Sequence, residues 1–346
     1  MGEVENSKAP SSPKKPTLAD VARLSGVAPV TVSRVLNTPD QVKEKTRLRV
    51  MEAVNSLQYQ INVAARVLAG SKWGAVGVVV PSLDHPMIAR QVRVFEAEMQ
   101  VRDISLLISA SNYDAETEAK ALRKLVSRGV DGILITHLEE AEFALPFLAQ
   151  NDVPTVSIGS RSQILTPNWI AYDDFGGMES IVDHLHTLGH GRIGLIGDRR
   201  AVRNGQGRID AIVKRAAERG LDLSSERIHR CGADETEAFD AFRTLLATNP
   251  RPSAIICGND NLALACMAEA RRLGVRIPED VSLTGFDDLQ VSSHPLISLT
   301  TVRPPWQELG SVAAEAMLAG IAGGEPQQRL MPTEIVCRES TAKPHA

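Results

Sequence analysis

The sequence is poor in cysteine and aromatic residues and has no long apolar run. Its 346 residues include four cysteines (Cys231, Cys257, Cys266 and Cys337), which lie far apart and form no CxxC pair. No segment approaches the ~18 consecutive apolar residues of a membrane span. The N-terminal "MGEVENSKAPSSPKKP" lacks the apolar core of a signal peptide. We therefore expect a cytoplasmic protein with reduced thiols and no membrane segment.

Motifs for nucleotide binding and catalysis are also missing. The sequence has no GxGxxG or P-loop string after a predicted strand, no GxSxG motif and no nucleophile paired with a base. His184, His186 and His190 lie close together in "HLHTLGH". No cysteine or carboxylate completes a metal site there, which favours structural or solvated histidines. We predict no catalytic residue, no metal and no cofactor, and we do not expect an enzyme.

Charge is divided unevenly along the chain. Residues 1–72 carry 11 Lys and Arg against 6 Asp and Glu, a net charge of +5, whereas the remaining 274 residues carry 27 against 36, a net charge of −9. A basic N-terminal part beside an acidic body indicates a polyanionic partner for the N-terminal part alone. The chain length favours two or three domains.

The basic segment "TLADVARLSGVAPVTVSRVLN", residues 17–37, has the pattern of two short helices joined at Gly26. Thr17 can cap the first helix, because Asp20 follows three residues later, as in a capping box. Gly26 tolerates the left-handed backbone of a tight turn, and Pro29 suits the first turn of the second helix. The residues predicted to be buried in these helices are Val21, Ala22, Leu24, Val32, Val35 and Leu36.

A third amphipathic segment, "VKEKTRLRVMEAVNSLQY", follows at residues 42–59. Its predicted buried side consists of Val42, Leu48, Met51, Val54 and Leu57. Two short helices joined by a glycine turn and braced by a third are typical of a helix-turn-helix. A small helical bundle without a nucleic-acid partner has the same geometry, so geometry alone leaves both interpretations open.

Three strings separate these interpretations. "TLADVARLSGVAPVTVSRVLN", "SLQY" and "INVAARVLAG", in this order and spacing, closely resemble the DNA-binding head of the LacI/GalR family of bacterial transcriptional repressors. The resemblance implies that the helix starting near Pro29 lies in the major groove of a double-stranded DNA operator. It assigns base reading to Pro29, Val30 and Arg34, with Arg34 suited to guanine and the other two to apolar contact. Thr17 and Thr31 complete the predicted DNA-binding residues of the head.

Two further features of the head concern its charge and its second helix. Lys43, Lys45, Arg47 and Arg49 either supply charge near phosphates or form a solvated helix face. Ala28 stands where the family usually has Ser or Thr. We expect the missing cap to cost the second helix on the order of 1 kcal/mol.

The segment "NVAARVLAG", residues 62–70, is predicted to be a short hinge helix. Asn62 can cap it, and Ala65 and Leu68 share one face. Helices shorter than ~12 residues are marginal in water. The resemblance implies that two copies, one per subunit of a homodimer, fold together over the minor groove. It also implies that Leu68 wedges into the central step of a pseudo-palindromic operator, a CG step for this family.

From Ala75 onward, strand-like runs alternate with amphipathic segments. The runs are "AVGVVVP", "ISLLISA", "GILIT", "TVSIG", "WIAYDD", "RIGLIGD", "AIICGND" and "VSLTGFDD". Near-continuous apolar strands with helical crossovers predict parallel sheets covered on both faces. The pattern occurs twice, on either side of Asp173, which predicts two similar halves.

The strings "HTLGHGRIGLIG" and "RIPEDVSLTGFDD" resemble the periplasmic-binding-protein-like core of the same family. The predicted fold class is thus α/β: an all-α helix-turn-helix head plus a core of two doubly wound parallel-sheet subdomains. The predicted boundaries are a disordered tail at 1–16, the head at 17–61, the hinge helix and linker at 62–73, and the core at 74–340. Within the core we expect one subdomain from about 74–171 and 300–330, and the other from about 172–299 and 331–340.

Open parallel sheets bind ligands beyond the carboxyl ends of their strands. Polar residues at those ends are Ser82, Asp84, Ser109, His137, Ser160 or Arg161, Asp173, Asn259, Asp260, Asp287 and Asp288. The resemblance adds Arg208, in "GQGRIDAI", and implies that Asp287 accepts hydrogen bonds from ligand hydroxyls. The predicted effector-binding residues are Ser82, Asp84, His137, Arg208, Asn259 and Asp287. As an alternative, Asp84, Asp173, Asp260 and Asp288 merely cap helices.

An arginine and a carboxylate that grip vicinal hydroxyls favour a sugar or polyol as the effector. The string "HPMI", residues 85–88, stands where "NPFF" is common in the family, so the aromatic ring expected near Met87 is missing. That absence favours a compact polyol over a flat purine, although Phe239, Trp169 or Trp306 could supply a ring.

Three functions fit parts of the sequence. The first is a DNA-binding transcriptional regulator, a repressor in particular, whose operator affinity is controlled by a small-molecule effector. The second is a transport-type solute-binding protein, against which the missing signal peptide and the DNA-binding head argue. The third is a catabolite-control-type regulator governed mainly by a partner protein. The C-terminal "CRESTAKPHA" has no leucine heptad, so we expect a homodimer and no tetramer.

Overall fold

The computed structural model describes residues 15–60, 67, 72–84, 86–136, 141–160, 166–199, 202–232 and 235–345. It divides into two compact units, one ending at Trp73 and the other beginning at Gly74. We call them the head and the body. Within the described residues, no helix is long and apolar enough to cross a membrane.

The head contains three helices: α1 (Leu18–Ser25), α2 (Pro29–Asn37) and α3 (Glu44–Ser56). Thr17 and Asp20 form the predicted capping box at the start of α1, and Gly26 ends this helix with φ of 62°. That left-handed conformation is one that side-chain-bearing residues avoid. The small core of the head is made by Val21, Ala22, Val32, Val35, Val50 and Ala53.

The prediction of which apolar residues of the head are buried is partly wrong. Leu24, Leu48 and Met51 are 55%, 62% and 39% exposed. The buried residues of α3 are instead Val50 and Ala53, whose small side chains allow α3 to approach the other two helices closely. Three short helices enclose only a narrow core, so one stripe of α3 is buried and the apolar residues beside it remain at the surface.

The body consists of strands and helices that alternate for most of its length. The strands are β1 (Ala75–Val80), β2 (Ser105–Ala110), β3 (Gly132–Ile135), β4 (Thr155–Ser160), β5 (Trp169–Tyr172), β6 (Ile193–Asp198), β7 (Ile228–Cys231), β8 (Ala254–Cys257), β9 (Ser282–Thr284), β10 (Thr301–Arg303), β11 (Gln328–Met331) and β12 (Glu334–Val336). The helices are α4 (Pro86–Gln100), α5 (Ala115–Arg128), α6 (Ala141–Gln150), α7 (Asp174–Leu188), α8 (Val202–Glu218), α9 (Glu235–Ala247), α10 (Asp260–Leu273) and α11 (Trp306–Ile321).

These strands form two parallel sheets and one small antiparallel pair. The first sheet has the order β11-β5-β4-β3-β1-β2, and the second has the order β7-β6-β8-β9. Strands β10 and β12 pair antiparallel, with Thr301 opposite Val336. The apolar strings "AVGVVV", "GILI" and "AIIC" became the buried central strands β1, β3 and β8, as expected for sheets covered by helices on both faces. The predicted fold class is therefore confirmed.

The chain passes between the two sheets more than once. It leaves the first sheet after β5, builds the second sheet, and returns through β10 and α11 to add β11 beside β5. After β12 the backbone reaches the second sheet again, where the N–H of Leu283 donates to the carbonyl of Ser340. The residues at these crossings bring the ends of both sheets into one region of the body.

Candidate functional site

The start of α2 presents a small exposed surface on the head. Val30 is 58% exposed and Arg34 is exposed, whereas Val32 and Val35 on the same helix are buried. Thr31 is half-buried. The backbone of Ala28 is extended and no side chain caps α2, which confirms the expected missing cap. Pro29 occupies the first turn of this helix.

The other predicted DNA contacts have different positions. Thr17 donates its hydroxyl to Asp20 Oδ2 at 2.7 Å and accepts from the N–H of Asp20 at 3.3 Å, so it has a capping role in α1. Asn62, Ala65 and Leu68 lie outside the described residues. The assignment of all these side chains to DNA stays a prediction.

In the body, Arg208 lies at the centre of a buried cluster. It extends from α8, is only 9% exposed, and holds its guanidinium carbon 3.8 Å from the centroid of the Phe286 ring. Its Nη1 donates to the carbonyl of Gly258 at 2.8 Å, and its Nη2 donates to the hydroxyl of Tyr172 at 3.2 Å. The aromatic face and these two acceptors fix the plane of the guanidinium.

Two carboxylates face Arg208 without a short hydrogen bond to it. Asp287 Oδ1 is 3.7 Å from Nη2, and Asp174 Oδ2 is 3.9 Å from Nε. Within the described part of the chain, Nε of Arg208 has no hydrogen-bond partner. A buried charged donor without an acceptor is costly, so this cluster has hydrogen-bonding capacity that its own residues do not use.

Asp287 has an unusual environment. It is 5% exposed and has φ of 114°. Burial raises the pKa of its carboxyl to about 8; the positive charge of Arg208 opposes this rise, and the negative charges of Asp260 and Asp198 add to it. A neutral carboxylic acid both donates and accepts hydrogen bonds, whereas the ionised form only accepts.

Three aromatic side chains form a wall beside Arg208 and Asp287. The rings of Tyr172 and Trp306 meet edge to face with centroids 5.2 Å apart, and the Phe286 centroid lies 6.2 Å from that of Tyr172. Trp306 Nε1 donates to the carbonyl of Asp287 at 3.0 Å. Burial raises the pKa of Tyr172, so this phenol stays protonated.

Asn259 and Asp260 hold the neighbouring backbone in place. Asn259 caps α10 by accepting from the N–H of Leu262 at 2.9 Å, and its Nδ2 donates to Asp198 at 2.9 Å. Asp260 is fully buried and accepts from the hydroxyls of Ser292 and Thr301 at 2.6 and 2.5 Å. Burial raises its pKa to about 6, while these hydrogen bonds act in the opposite direction. Asp260 therefore connects the start of α10 with the turn after Asp287 and with β10.

The structure thus brings together part of the predicted effector set. Arg208 and Asp287 face each other. Asn259 follows Gly258, whose carbonyl accepts from Arg208, and the Asn259 side chain donates to Asp198. Ser82 accepts from the backbone N–H of Asp84 in a local turn after β1, and Asp84 is exposed. His137 lies outside the described residues.

The alternative that some of the aspartates merely cap helices is confirmed for one residue and wrong for two. Asp173 caps α7 by accepting from the N–H of Gly176. Asp260 instead bonds to the turn and β10, because its buried carboxylate faces their hydroxyls. Asp288 forms ion pairs with Arg303 and Arg338, both at 2.6 Å.

Most of the aromatic wall was not predicted from the sequence. Tyr172 and Phe286 are the last large residues before the acidic pairs in "WIAYDD" and "TGFDD", which was a usable signal. Trp306 was one of three candidate rings and lies in the wall. Phe239 packs against the core of the second sheet, and Trp169 is at the other end of β5 from Tyr172.

Two of the clustered histidines have structural roles. His190 contacts the hydroxyl of Ser253 at 2.8 Å and the carbonyl of Ala342 at 3.0 Å, and His184 contacts the hydroxyl of Thr341 at 3.0 Å. They attach the C-terminal segment to the second half of the body. Among the described residues, no group of three or more His, Cys, Asp or Glu side chains is arranged to hold a metal ion.

Comparison with known proteins agrees with this architecture. The family model "Bacterial regulatory proteins, lacI family" matches residues 17–62, and the model "Periplasmic binding protein-like domain" matches residues 182–341. The HTH-type transcriptional regulator GntR of Pseudomonas aeruginosa is 30% identical over 347 residues, covering 99% of this chain and 100% of the relative.

Solved structures show the same fold. The lac repressor dimer bound to operator and the anti-inducer ONPF superimposes with a TM-score of 0.84 at 27% identity, covering 95% of this chain and 100% of that chain. The complex of the transcriptional regulator CelR with cellobiose gives a TM-score of 0.70 at 27% identity, covering 94% and 99%. The chain described here belongs to the LacI family of bacterial regulatory proteins and is a DNA-binding transcriptional regulator.

Proposed function

We propose that this regulator is a cytoplasmic, non-catalytic repressor that binds a pseudo-palindromic operator as a homodimer and responds to a sugar or polyol bound beside Arg208. The observation that carries the proposal is the buried pair of Arg208 and Asp287. The guanidinium and the carboxyl group are 3.7 Å apart, next to an aromatic wall, and Nε of Arg208 has no acceptor among the described residues.

Vicinal hydroxyls match this arrangement chemically. A guanidinium offers five N–H donors in a fixed plane, and a carboxyl group at Asp287 can accept from a hydroxyl or, when protonated, donate to one. The rings of Phe286 and Trp306 make the surroundings of this pair apolar, which suits the C–H groups of a sugar ring. Asn259, Ser82, Asp84 and His137 are the remaining proposed contacts.

Two solved relatives support the ligand class and the assembly. The lac repressor is a dimer in its complex with operator and ONPF, and CelR was solved in complex with cellobiose. A two-fold symmetric dimer matches a pseudo-palindromic operator, because each half-site receives one head. We propose that Pro29, Val30 and Arg34 read bases in each half-site. Thr17 and Thr31 are proposed to position the head on the DNA backbone.

Ligand binding at the proposed site can be tested with substitutions in the full chain. Calorimetric titration with a panel of sugars and polyols identifies a ligand of the wild type. Arg208→Ala and Asp287→Ala should each abolish its binding and its effect on operator affinity in a gel shift, while operator affinity without ligand stays near wild type. Lys214→Ala is the matched control, because Lys214 is on the same helix with its side chain 71% exposed. If both variants bind the ligand as tightly as wild type does, the effector site lies elsewhere.

The proposed hinge contact of Leu68 needs a separate test. Leu68→Ala would keep the phosphate contacts and the recognition helix but remove the wedge. Binding to the specific duplex should fall by a few kcal/mol, the scale of base unstacking and of the contacts it permits, and the DNA bend should shrink. Binding to a random duplex should barely change, because it depends mainly on phosphate charge. Equal weakening on both duplexes would contradict the wedge.

A further inference from the structure

A mostly apolar groove lies at the edge of the first sheet where β4 and β5 begin. It has a volume of about 910 Å³, and the end of α6 and the segment that joins α11 to β11 form its sides. Trp169 lines the groove together with four prolines: Pro146, Pro154, Pro167 and Pro326. Tyr172 of the aromatic wall is at the opposite end of β5 from Trp169, so the groove is separate from the proposed effector site.

Two N–H donors in the lining are unused. Asn168 is only 7% exposed, and its Oδ1 accepts from the N–H of Gln327 at 3.1 Å, which fixes the orientation of the amide. Its Nδ2 donates to no residue that the structure describes. A Cβ at Gly320 would be 3.9 Å from this nitrogen, so the glycine leaves it open to the groove. Nε1 of half-buried Trp169 also has no described acceptor. Unused donors in an apolar groove point to a ligand that carries acceptor oxygens.

One charged side chain, that of Asp152, lies at the rim of the groove. Asp152 is exposed in the turn before β4. In the described part of the chain it forms no ion pair, and it is the single charged residue among those that line the groove. The groove therefore favours a ligand with a positive charge beside its acceptor oxygens.

The groove is open to solvent along its rim. Asp152, Pro167, Pro326 and Gln328 are all exposed. Small-molecule sites enclose most of their ligand, whereas an open groove suits an extended chain that stays partly in water. The volume has room for about one turn, three residues, of a polyproline II helix.

From this geometry we propose that the groove binds a proline-rich, basic segment of a partner protein in the polyproline II conformation. A chain in this conformation makes no internal hydrogen bonds, so its carbonyls are free to accept from Asn168 and Trp169. Its proline rings pack against the indole and the apolar walls, as in other aromatic-lined grooves that recognise such segments. A lysine or arginine of the segment pairs with Asp152.

Strand β5 connects the groove with the proposed effector site. Trp169 begins this strand and Tyr172 ends it. The N–H of Trp169 donates to the carbonyl of Gln327, and the hydroxyl of Tyr172 accepts from Arg208. A partner segment in the groove would therefore contact one end of the strand whose other end supports Arg208.

Synthetic peptides test the proposal independently of the effector. The full chain is titrated calorimetrically, at one ionic strength, with a panel of ten-residue peptides that carry Pro-X-X-Pro and two flanking lysines. Matched peptides with glutamate in place of both lysines and free indole are the other probes. We expect lysine peptides to bind, the glutamate peptides to bind at least several-fold more weakly, and indole not to compete. If no lysine peptide binds, or if indole displaces the peptide, the proposal is overturned.

Asn168→Asp tests the buried donor. This variant keeps the acceptor for the N–H of Gln327 but replaces Nδ2 by an oxygen, so peptide affinity should fall by at least ~10-fold. Trp169→Phe keeps an aromatic ring and removes only the other donor, and it should weaken binding by about three- to ten-fold even if Asn168→Asp does not fold. Wild-type affinity in Trp169→Phe would overturn the proposed contacts.

Asp152→Asn tests the charge. It should weaken binding by up to about five-fold, as for an exposed ion pair, and should remove the preference for lysine over glutamate peptides. Asp103→Asn is the matched control, because Asp103 is also exposed, has a left-handed backbone with φ of 58°, and does not line the groove. The control should keep the affinity within about two-fold of wild type. An unchanged lysine preference in Asp152→Asn, or an equal loss in both variants, would contradict the proposal.

Discussion

At the scale of single residues, Asp287 should make stability depend on pH in an unusual direction. Its folded-state pKa is raised to about 8 from the ordinary 3.8, so the folded protein keeps a proton that the unfolded chain loses. The stabilising contribution is complete below the ordinary value and is lost as pH rises through about 8. We expect urea unfolding to show that wild type loses stability relative to Asp287→Asn between about pH 6 and about pH 9.

Asp183→Asn is the control for that experiment. Arg215 and Arg219 hold the pKa of Asp183 at about 2, so its contribution is present above the ordinary value and is lost only in acid. Asp183→Asn should therefore be less stable than wild type by the same amount at pH 6 and at pH 9. A parallel pH dependence of wild type and Asp287→Asn would show that the buried carboxyl is already ionised at neutral pH.

Arg34 provides a prediction about DNA sequence preference. Its exposed position on α2 suits a bidentate contact with guanine. Arg34→Ala should cost about 1–3 kcal/mol on the specific operator and relax base preference at one position of each half-site. Lys43→Ala, which removes a charge from the start of α3, should weaken specific and random duplexes alike. Competition binding to a library of half-site variants distinguishes the two. Unchanged preference in Arg34→Ala would exclude the base contact.

At the scale of elements, the start of α2 is less stable than it could be. Ala28 has the extended backbone of an N-cap, but no side chain caps the helix. Ala28→Ser would supply a hydroxyl that can accept a hydrogen bond from an N–H group of the first turn, and it should stabilise the head by about 1 kcal/mol. Hydrogen exchange of amides in α1 and α2 measures the effect, and Ala28→Val, which cannot cap, is the control. Equal protection in both variants would contradict the prediction.

The elements also differ in how well their sequence predicts them. Eight strands had the near-continuous apolar runs of buried strands, and β1 to β6, β8 and β9 all formed there. Strand β7, "IHRC", was missed because it is an edge strand whose residues are mostly not buried. Strands β10 to β12 ("TVR", "QRLM" and "EIV") contain polar or charged residues in place of an apolar run, and they are held by distant partners.

At the scale of the whole molecule, the C-terminal segment is held by an acid-sensitive contact. Burial lowers the pKa of His190, whose ring contacts Ser253 and the carbonyl of Ala342. A lowered histidine pKa means that the stabilising contribution is present above the ordinary 6.5 and is lost as pH falls through the folded-state value.

We therefore expect wild type to lose more stability than His190→Gln on moving from about pH 7.5 to about pH 5.5. Urea unfolding at the two values gives the difference, and limited proteolysis should release residues after Cys337 earlier at the lower pH. His186→Gln, in the last turn of α7 just before this contact, is the control. Equal losses in wild type and His190→Gln would show that the contact does not titrate.

By itself, the sequence determined the properties that depend on neighbours along the chain. The capping box of Thr17, the glycine turn, the period of the helices and the apolar runs of the central strands are local, so they could be read directly. The two resemblances identified Arg208 and Asp287, although 79 positions separate them in the sequence.

The tertiary structure alone decided what surrounds those two residues and which apolar residues are buried. Tyr172, Phe286 and Trp306 come from the end of β5, the loop after β9 and the start of α11, and they meet only because the chain crosses between the sheets. Their contact and the raised pKa of Asp287 depend on burial and on the distance between remote segments. Neither quantity is encoded in the spacing of residues along the chain, which is why Leu48 was predicted inside and lies outside.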